Sequence, residues 1–275
     1  MATVIVPAHN ESTVISRCLD SINAQQGVSQ VIVACNGCTD DTVEKVRTNY
    51  PDFLCLDIAT PSKVHALNEA EKYVQSWPVF YIDADVSLSP NTVELMTAEM
   101  ANQKLLLAAP SPEIDTAKSP WLVKQFYKIW LKLPYIREGV IATCTFVMSE
   151  EGRKRFDKFP EDIFADDCFV RSHFYDDELG NVEGCQVYVS APKTLWSLIK
   201  IKTRSRLGSM VIKSRGYGVK KESPNYSSAL SSLLFSKHFF STIIYIALVL
   251  VFRHRANKQF RNINSYKWEV DNSSR

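Results

Sequence analysis

Two aspartates stand two positions apart directly after an apolar run. The run is Val79-Phe80-Tyr81-Ile82, and Asp83 and Asp85 follow it with only Ala84 between them. Residues i and i+2 of an extended segment point to the same side, so the two carboxylates can meet one ligand. Carboxylate oxygens suit Mg²⁺ and Mn²⁺, which keep open positions for substrate phosphates. The pair therefore predicts a divalent metal site, or a division between a metal and a ribose hydroxyl, although the same pattern also occurs in solvated turns.

The segments that must position these carboxylates alternate between strand and helix patterns. Short runs of branched and bulky residues, typical of buried parallel strands, occur at 3–6, 31–34, 53–56, 79–82 and 105–108. Apolar residues at helical spacing occur between the first two runs and before the last. This order predicts a doubly wound α/β sheet, whose ligand site lies beyond the carboxyl ends of the strands. Beyond it we expect a loop at 111–120, an aromatic helix near 121–133 and a strand near 141–148.

Polar motifs follow these strands in a recognisable order. They are Pro7-Ala8-His9-Asn10-Glu11, Asn36-Gly37-Cys38-Thr39-Asp40-Asp41-Thr42, Lys63-x-x-Ala66-Leu67-Asn68 and Tyr81-Ile82-Asp83-Ala84-Asp85. Their order and spacing are similar to those of the family 2 glycosyltransferases, over roughly residues 1–210. The resemblance implies a GT-A type doubly wound mixed sheet. It also implies inverting transfer of a sugar from a nucleotide-diphosphate sugar to an acceptor hydroxyl.

The resemblance also implies which residues meet the donor. Asp83 would contact the ribose, and Asp85 would hold the Mn²⁺ or Mg²⁺ that bridges the diphosphate. Asn36 departs from the family, which usually has an acidic residue contacting the base at this position. The other implied nucleotide-sugar contacts are Pro7, His9, Asn10, Glu11, Lys63 and Asn68.

Inverting transfer needs a carboxylate that takes the proton of the acceptor hydroxyl. In the family this base is the second residue of an acidic pair followed by a helix. Two pairs compete here, Glu161-Asp162 and Asp166-Asp167, five residues apart. The run Cys168-Phe169-Val170-Arg171 continues the second pair as the family's apolar helix does. We therefore expect Asp166 and Asp167 to be the catalytic pair with Asp167 as the base, and Asp162 as the alternative.

A basic segment stands where the family carries a Q-x-x-R-W sequence. It contains Arg204 and Arg206 but lacks both the Gln and the Trp. Guanidinium groups bind phosphate oxygens bidentately, so the two arginines are candidates for the departing diphosphate. A solvated basic helix face is the alternative for each of them.

Charge is distributed very unevenly along the 275 residues, although the net charge is only +2. Residues 1–195 hold 17 basic and 27 acidic side chains, whereas residues 196–275 hold 15 basic and 3 acidic ones. We accordingly expect a glycosyltransferase domain over 1–212, with a nucleotide-binding half (1–110) and an acceptor half (111–212). Residues 213–275 form a separate basic segment.

An apolar helix is predicted within that basic segment, over residues 239–252. At about 1.5 Å per residue, its 14 residues fall short of the ~30 Å hydrocarbon core of a bilayer. Basic residues flank it on both sides, which disfavours a single span. They are Lys213, Arg215, Lys220 and Lys221 before it, and Arg253, Arg255, Lys258 and Arg261 after it. A membrane-associated interfacial or re-entrant helix fits this pattern, with a buried core helix as the alternative.

Composition excludes several classes of protein. Only 9 residues are Gly, and neither a P-loop nor a G-x-G-x-x-G fingerprint is present. Seven scattered cysteines argue against a disulfide framework and for a reducing compartment, and Cys35-x-x-Cys38 is interpreted as a tight turn. No secretory signal is recognised at the N-terminus. We expect a protein on the cytoplasmic face of the membrane that does not bind nucleic acid.

The sequence thus predicts a metal-dependent glycosyltransferase of polysaccharide, glycolipid or cell-envelope glycan synthesis. Its partners would be a nucleotide-diphosphate sugar, a lipid-linked or glycan acceptor and a membrane surface. Two alternatives remain at this point. One is a haloacid-dehalogenase-like phosphatase with Asp83 as nucleophile and Asp85 as acid/base. The other is a non-catalytic, membrane-associated partner with the same fold.

Overall fold

The computed structural model describes residues 1–137, 145–219 and 227–263. These residues form two compact units, which interleave along the chain. The first unit comprises residues 1–113 and 145–189, and the second comprises residues 114–137, 190–219 and 227–263. The predicted domain bounds at residues 110 and 212 stay a prediction.

An eight-stranded mixed sheet dominates the first unit. Its strands are β1 (Ala2–Ala8), β2 (Val28–Asn36), β3 (Leu54–Ile58), β4 (Val79–Ile82), β5 (Val86–Leu88), β6 (Leu107–Asp115), β7 (Thr145–Met148) and β8 (Leu179–Ser190). They lie in the order β3-β2-β1-β4-β7-β6-β8-β5. Strands β1 to β4 pair in parallel, whereas β7 runs antiparallel to both β4 and β6, and β5 runs antiparallel to β8. The predicted mixed α/β sheet is therefore confirmed.

Helices of the first unit connect these strands. They are α1 (Ile15–Asn23), α2 (Thr42–Asn49), α3 (Lys63–Glu71), α4 (Thr92–Gln103), α7 (Glu150–Arg153) and α8 (Asp166–Ser172). Helix α1 buries Ile15, Cys18, Leu19 and Ile22, the apolar stripe that helical spacing predicts. This stripe joins the core formed by fully buried strand residues such as Val4, Val33 and Phe80.

The fifth strand and the loop predicted after it differ from the observed structure. The fifth strand was expected at 105–108 with a loop at 111–120, but β6 runs from Leu107 to Asp115. The loop prediction is wrong for 111–115 because strand pairing with β8 outweighs the Pro- and Ser-rich composition of this stretch. The strand expected at 141–148 is present as β7 from Thr145, while residues 141–144 lie outside the described residues.

Helices make up most of the second unit. They are α5 (Trp121–Trp130), α6 (Pro134–Arg137), α9 (Leu195–Ser214), α10 (Ser227–Leu234) and α11 (Phe239–Arg261). Helix α11 packs on both α5 and α9. Tyr245 of α11 stacks on Phe126 of α5 with ring centroids 5.1 Å apart, and Ser241 Oγ donates to Gln125 Oε1 at 2.6 Å. Helix α11 begins where the apolar run predicts, but it continues to Arg261 instead of ending at 252.

A largely buried ion pair joins three elements of the first unit. Arg153 at the end of α7 donates through Nε and Nη2 to the two carboxylate oxygens of Glu71, both at 2.7 Å. Tyr81 Oη on β4 donates to the same carboxylate at 2.6 Å. The guanidinium also lies over the ring of Phe156, 4.5 Å from its centroid. Because the charges of this pair are mostly removed from water, removing either partner would leave the other uncompensated.

We predict that Arg153→Ala lowers the free energy of unfolding by about 3 kcal/mol, the cost typical of breaking a buried pair. Urea denaturation measures the change. Lys154→Ala is the matched control, because Lys154 forms only an exposed pair with Glu150 at 2.8 Å, for which we expect less than about 0.5 kcal/mol. Equal effects of the two substitutions would contradict a structural role for the Glu71–Arg153 pair.

Candidate active site

Helix α1 holds the main chain of the two aspartates that follow β4. Ala84 between them is buried, while Asp83 and Asp85 are half-buried. Arg17 of α1 donates to the carbonyl of Asp85 at 2.6 Å, and the Cys18 thiol donates to the carbonyl of Asp83 at 3.5 Å. Helix α1 therefore fixes the backbone of this turn, which leaves the aspartate side chains to meet other groups.

Lys63, the first residue of α3, lies between two carboxylates. Its Nζ is 2.6 Å from Asp83 Oδ1 and 2.9 Å from Asp166 Oδ2. The side chain of Asp166 is 8% exposed, so the pair with Lys63 is shielded from water on that side. One ammonium group therefore joins the end of β4 to the start of α8, and the strand-end aspartates and the second acidic pair belong to one site.

Asp167 follows in the first turn of α8. Burial of its carboxyl group, together with the charge of Asp166, raises the pKa of Asp167 to about 6. The charge of Lys63 and the N–H of Cys168, which donates to Oδ1 at 2.7 Å, act in the opposite direction. A carboxylate with a pKa in this range can accept a proton near neutral pH and still be a stronger base than an ordinary aspartate.

The competing acidic pair has a different environment. Glu161 and Asp162 are both exposed, and Glu161 Oε1 lies 3.5 Å from His65 Nδ1. Asp166 contacts Lys63, which also meets Asp83, whereas the contact of Glu161 is with a histidine further along α3. The choice of Asp167 over Asp162 as the base stays a prediction.

Asn68 connects α3 to the segment that precedes α8. Its Nδ2 donates to the carbonyl of Phe159 at 2.9 Å, and its Oδ1 accepts from the N–H of Phe159 at 2.9 Å. Both ends of the amide are thus bonded to the main chain of one residue. The structure gives Asn68 this positioning contact, and its predicted role as a nucleotide contact stays a prediction.

The motif after β1 forms a loop tied to the end of β2. Asn10 adopts a left-handed conformation with φ 54°, and its Oδ1 accepts from the N–H groups of Thr39 at 2.7 Å and Asp40 at 3.3 Å. His9 Nδ1 lies 2.5 Å from the carbonyl of Asn36. These contacts bring the first two predicted donor motifs together.

Three other residues of these motifs are buried. Pro7 lies within β1 opposite Ala34, and Asn36 donates to the carbonyl of Ala8 at 2.9 Å. Glu11 is only 7% exposed, and its N–H donates to Thr42 Oγ1 at 2.9 Å. The contacts of all three with a nucleotide stay predictions.

Asp40 and Arg17 also position the site, although neither was among the predicted site residues. Asp40 accepts from the N–H groups of Ser12 and Thr42, both at 3.1 Å. Burial raises the pKa of Asp40, but the bonds from Thr42 and Ser12 outweigh burial and hold the pKa below its usual value. The Asp-x-Thr pattern before α2 is a signal for such a helix-start contact. Arg17 has no comparable signal, because its partner lies 68 positions along the chain.

Arg204 and Arg206 lie on α9, in the second unit. Burial, together with the charge of Arg253, lowers the pKa of Arg206. Their predicted contact with the diphosphate stays a prediction.

The carboxylates after β4 can provide part of the coordination shell of a divalent cation, with a substrate as the source of the remaining ligands. Among the described residues, no group of three or more His, Cys, Asp or Glu side chains is arranged to hold a metal ion. Mg²⁺ commonly takes only one or two protein carboxylates, with substrate phosphates and water as its other ligands. Asp83 and Asp85, two positions apart at a strand end, provide such a partial set of hard oxygen ligands.

Solved structures share this architecture. A mannosyltransferase from Pyrobaculum calidifontis, solved with GDP-Man and Mn²⁺, matches 97% of this chain and 81% of its own, with a TM-score of 0.61 and 20% sequence identity. TarS 1-349 from S. aureus, solved with UDP, matches 99% of this chain and 94% of its own, with a TM-score of 0.53 and 14% identity. At these identities the likeness establishes the fold, and the predicted GT-A type α/β fold is confirmed.

The sequence comparison defines the family. The model of glycosyl transferase family 2 matches residues 3–180, and the chain belongs to this family. Chondroitin synthase from Pasteurella multocida (strain Pm70) is 30% identical over 110 residues, which is 38% of this chain. The matched stretch is only 11% of the length of that curated relative.

We predict that Lys63→Met lowers the free energy of unfolding by about 2 kcal/mol, between the costs of exposed and buried pairs, because it removes both ion pairs at once. Chemical denaturation at neutral pH measures the loss. The control is Lys72→Met, just past the end of the same helix, whose exposed pair with Glu69 should contribute less than about 0.5 kcal/mol. A loss as small as that of the control would show that Lys63 does not stabilise the site.

Proposed function

We propose that the chain is an inverting glycosyltransferase that uses a nucleotide-diphosphate sugar. The observation that carries the proposal is the position of Lys63 between Asp83 and Asp166. The proposal is supported because this contact joins the carboxylates expected at the donor to the acidic pair expected at the acceptor in a family 2 protein.

The nucleotide lies, in this proposal, over the loops that follow β1 and β2. Hydrogen bonds made by His9, Asn10 and Asn36 join the two loops to each other. The loops therefore have a defined shape before the donor arrives. A donor that meets a preformed site loses less free energy to ordering the protein. Asp83 would accept a hydrogen bond from a ribose hydroxyl, and Asp85 would hold the divalent metal.

The chemistry that a metal on Asp85 would supply is positive charge to balance that of the diphosphate. Lys63 contributes a second positive charge next to Asp83. Both features favour a leaving group that gains negative charge in the transition state. Support for a metal also comes from the P. calidifontis mannosyltransferase, which was solved with Mn²⁺.

Asp167 is the general base of the proposed reaction. It removes the proton from the acceptor hydroxyl while the hydroxyl oxygen forms a bond to the anomeric carbon. The bond from that carbon to the diphosphate breaks on the opposite face, so the configuration inverts. Asp166 acts as a positioning residue, because its ion pair with Lys63 sets the start of α8 and hence the position of Asp167.

The alternatives have no comparable support. A haloacid-dehalogenase-like phosphatase would use Asp83 as its nucleophile, but the family match over residues 3–180 includes Asp83 and all the strands before it. A non-catalytic partner would not need the raised pKa of Asp167 or its placement next to Lys63. Donor hydrolysis and transfer assays separate both from the proposal.

A membrane surface is the proposed location of the acceptor. Among the described residues, α11 is the one helix long and apolar enough to cross a bilayer, and a third of its apolar stretch is buried. One face packs on α5 and α9, while an outward stripe leaves apolar residues exposed, with Phe240 at 77% and Leu250 at 58%. A helix with apolar residues on both faces needs a second apolar environment.

Charge favours an anionic membrane for this stripe. Helices α9, α10 and α11 contain no Asp or Glu, whereas Arg206 and Arg253 lie close enough for their charges to interact. Anionic phosphate headgroups would offset the repulsion between these two positive charges. We propose that α11 lies on the bilayer and that the acceptor is a lipid-linked sugar or glycan. The cytoplasmic side of the membrane is part of the same proposal.

We predict that Asp167→Asn lowers kcat by on the order of 10²–10⁴-fold, the usual contribution of a general base. Release of nucleoside diphosphate from a panel of nucleotide sugars with Mn²⁺ and an acceptor measures the rate. Asp177→Asn is the matched control, since Asp177 is the exposed second member of another aspartate pair. Loss of activity in Asp162→Asn but not in Asp167→Asn would assign the base to Asp162 instead.

We predict an acidic limb near pH 6 in the profile of kcat/KM. Asp167 must be deprotonated to accept a proton, and its pKa is raised to about 6, so activity rises with pH through this value. Below it, the rate should fall about tenfold for each pH unit. A limb near pH 4, where an ordinary aspartate titrates, would contradict the environment described for Asp167.

We predict that the full chain sediments with phosphatidylglycerol vesicles and that Phe240→Glu/Leu250→Glu weakens this binding at least tenfold. The substitutions place charge on the exposed stripe without touching the buried face of α11. Leu95→Glu, at a half-exposed apolar residue of α4, is the control. Unchanged binding in the double variant, or no binding to these vesicles by the parent chain, would contradict the proposed surface.

A further inference from the structure

Three cysteine thiols meet beneath the loop that follows β1. Cys35, at the end of β2, is fully buried, and its thiol lies next to those of Cys38 and Cys55. Cys55 of β3 is the Cα partner of Val33, two residues before Cys35, so Cys35 and Cys55 share one face of the sheet. The described cysteines are all free thiols, and Cys38 and Cys55 are partly exposed while Cys35 is not.

The turn between Cys35 and Cys38 is fixed by Gly37. This glycine adopts φ 56°, and a Cβ at its position would lie 2.6 Å from the Cβ of Pro61. Its N–H donates to the carbonyl of Ile58 at 2.7 Å. The tight turn expected from the sequence is therefore present, and it brings the two thiols of the Cys-x-x-Cys sequence into contact.

The surroundings of Cys38 favour its thiolate. The Cys35 thiol donates to it, and this bond, the N–H of Asn10 and the charge of His9 lower the pKa of Cys38 to about 6, against opposing contributions from burial and Asp40. Cys35 carries the opposite shift, because its hydrogen bonds to the other two thiols and its burial raise its pKa. A partly exposed thiolate beside a protonated thiol is the arrangement of an attacking and a resolving cysteine.

Cys55 also has a lowered pKa, about 7, from its bond with Cys35 and from Arg47, against the effect of burial. It is on a neighbouring strand, whereas Cys38 belongs to the same turn as Cys35.

We propose that Cys38 is a peroxide-reactive thiolate that forms a disulfide with Cys35 at the edge of the donor loop. The Cys38 thiolate attacks one oxygen of hydrogen peroxide, the O–O bond breaks, and a sulfenic acid forms while the other oxygen leaves as hydroxide and takes up a proton. Cys35 then attacks the Cys38 sulfur, the S–O bond breaks, and the hydroxyl group leaves as water with the proton of Cys35. Two thiols lose two electrons in all, and one peroxide is reduced to two waters.

Disulfide formation changes the donor loop through contacts already described. In its thiol form Cys38 Sγ donates to the carbonyl of Ala8 at 3.5 Å, and neither the thiolate nor the disulfide can make this bond. The Asn10 N–H, which also bonds to this sulfur, would lose a thiolate acceptor on oxidation. The ring would also enclose Asn36, whose carbonyl contacts His9. We therefore expect weaker donor binding in the oxidised protein, a consequence that rests on the proposed function.

Mass spectrometry of the full chain tests the site without any assumption about activity. The protein is treated with hydrogen peroxide, free thiols are alkylated, and peptides are mapped; one disulfide lowers the intact mass by about 2 Da. We expect a Cys35–Cys38 cross-link in the parent chain and in Cys55→Ser, none in Cys38→Ser, and alkylation of Cys38 at least tenfold faster than that of the buried Cys185. Absence of the cross-link, or a Cys35–Cys55 cross-link in its place, would overturn the proposal.

Nucleotide binding then tests the consequence. GDP and UDP with Mn²⁺ are titrated against the reduced, oxidised and re-reduced chain, and we expect at least a fivefold weaker Kd only in the oxidised form. Equal Kd values in all three forms would refute the link to the donor loop. If no nucleotide binds to the reduced chain, the proposed function fails. The Cys35–Cys38 cross-link is still tested independently by mass spectrometry.

Discussion

The ammonium group of Lys63 meets Asp83 at 2.6 Å and Asp166 at 2.9 Å, and the arrangement of the site depends on this shared charge. Without the ammonium group, the carboxylates of Asp83 and Asp166 would repel each other at this separation. With one cation between them, the end of β4 and the start of α8 can be close together. The proposed reaction depends on this proximity, because the residues assigned to the donor and to the acceptor lie on these two segments.

Helix α3 supplies that cation and also holds its surroundings. Lys63 is its first residue, Asn68 bonds twice to the main chain of Phe159, and Glu71 forms the largely buried pair with Arg153. Lys63 thus fixes the acidic pair, Asn68 fixes the segment before that pair, and Glu71 fixes α7, the helix after β7. Because these segments are already held in place, the protein loses less conformational freedom when substrates bind.

Much of the fold was predictable from residue patterns, because buried parallel strands produce apolar runs with polar ends. The Asp83-Ala84-Asp85 turn, the loop at Asn10 and the acidic helix at Asp166 lie where those patterns place them. The extension of β6 was not predictable, since Pro- and Ser-rich strands are paired through tertiary context. Neither were the long-range bonds of Arg17 and Asn68, whose partners are far away in sequence and carry no local signal.

A double-mutant cycle of Lys63→Met and Asp166→Asn tests the central claim most directly. The free energy of unfolding and kcat are measured for the parent chain, the two single variants and the double variant. If Lys63 links the two carboxylate segments, the double variant is less impaired than the sum of the single variants by at least about 1 kcal/mol in both quantities. Effects that add within about 0.5 kcal/mol would show that the two residues act independently, and would contradict the claim that one shared charge holds the site together.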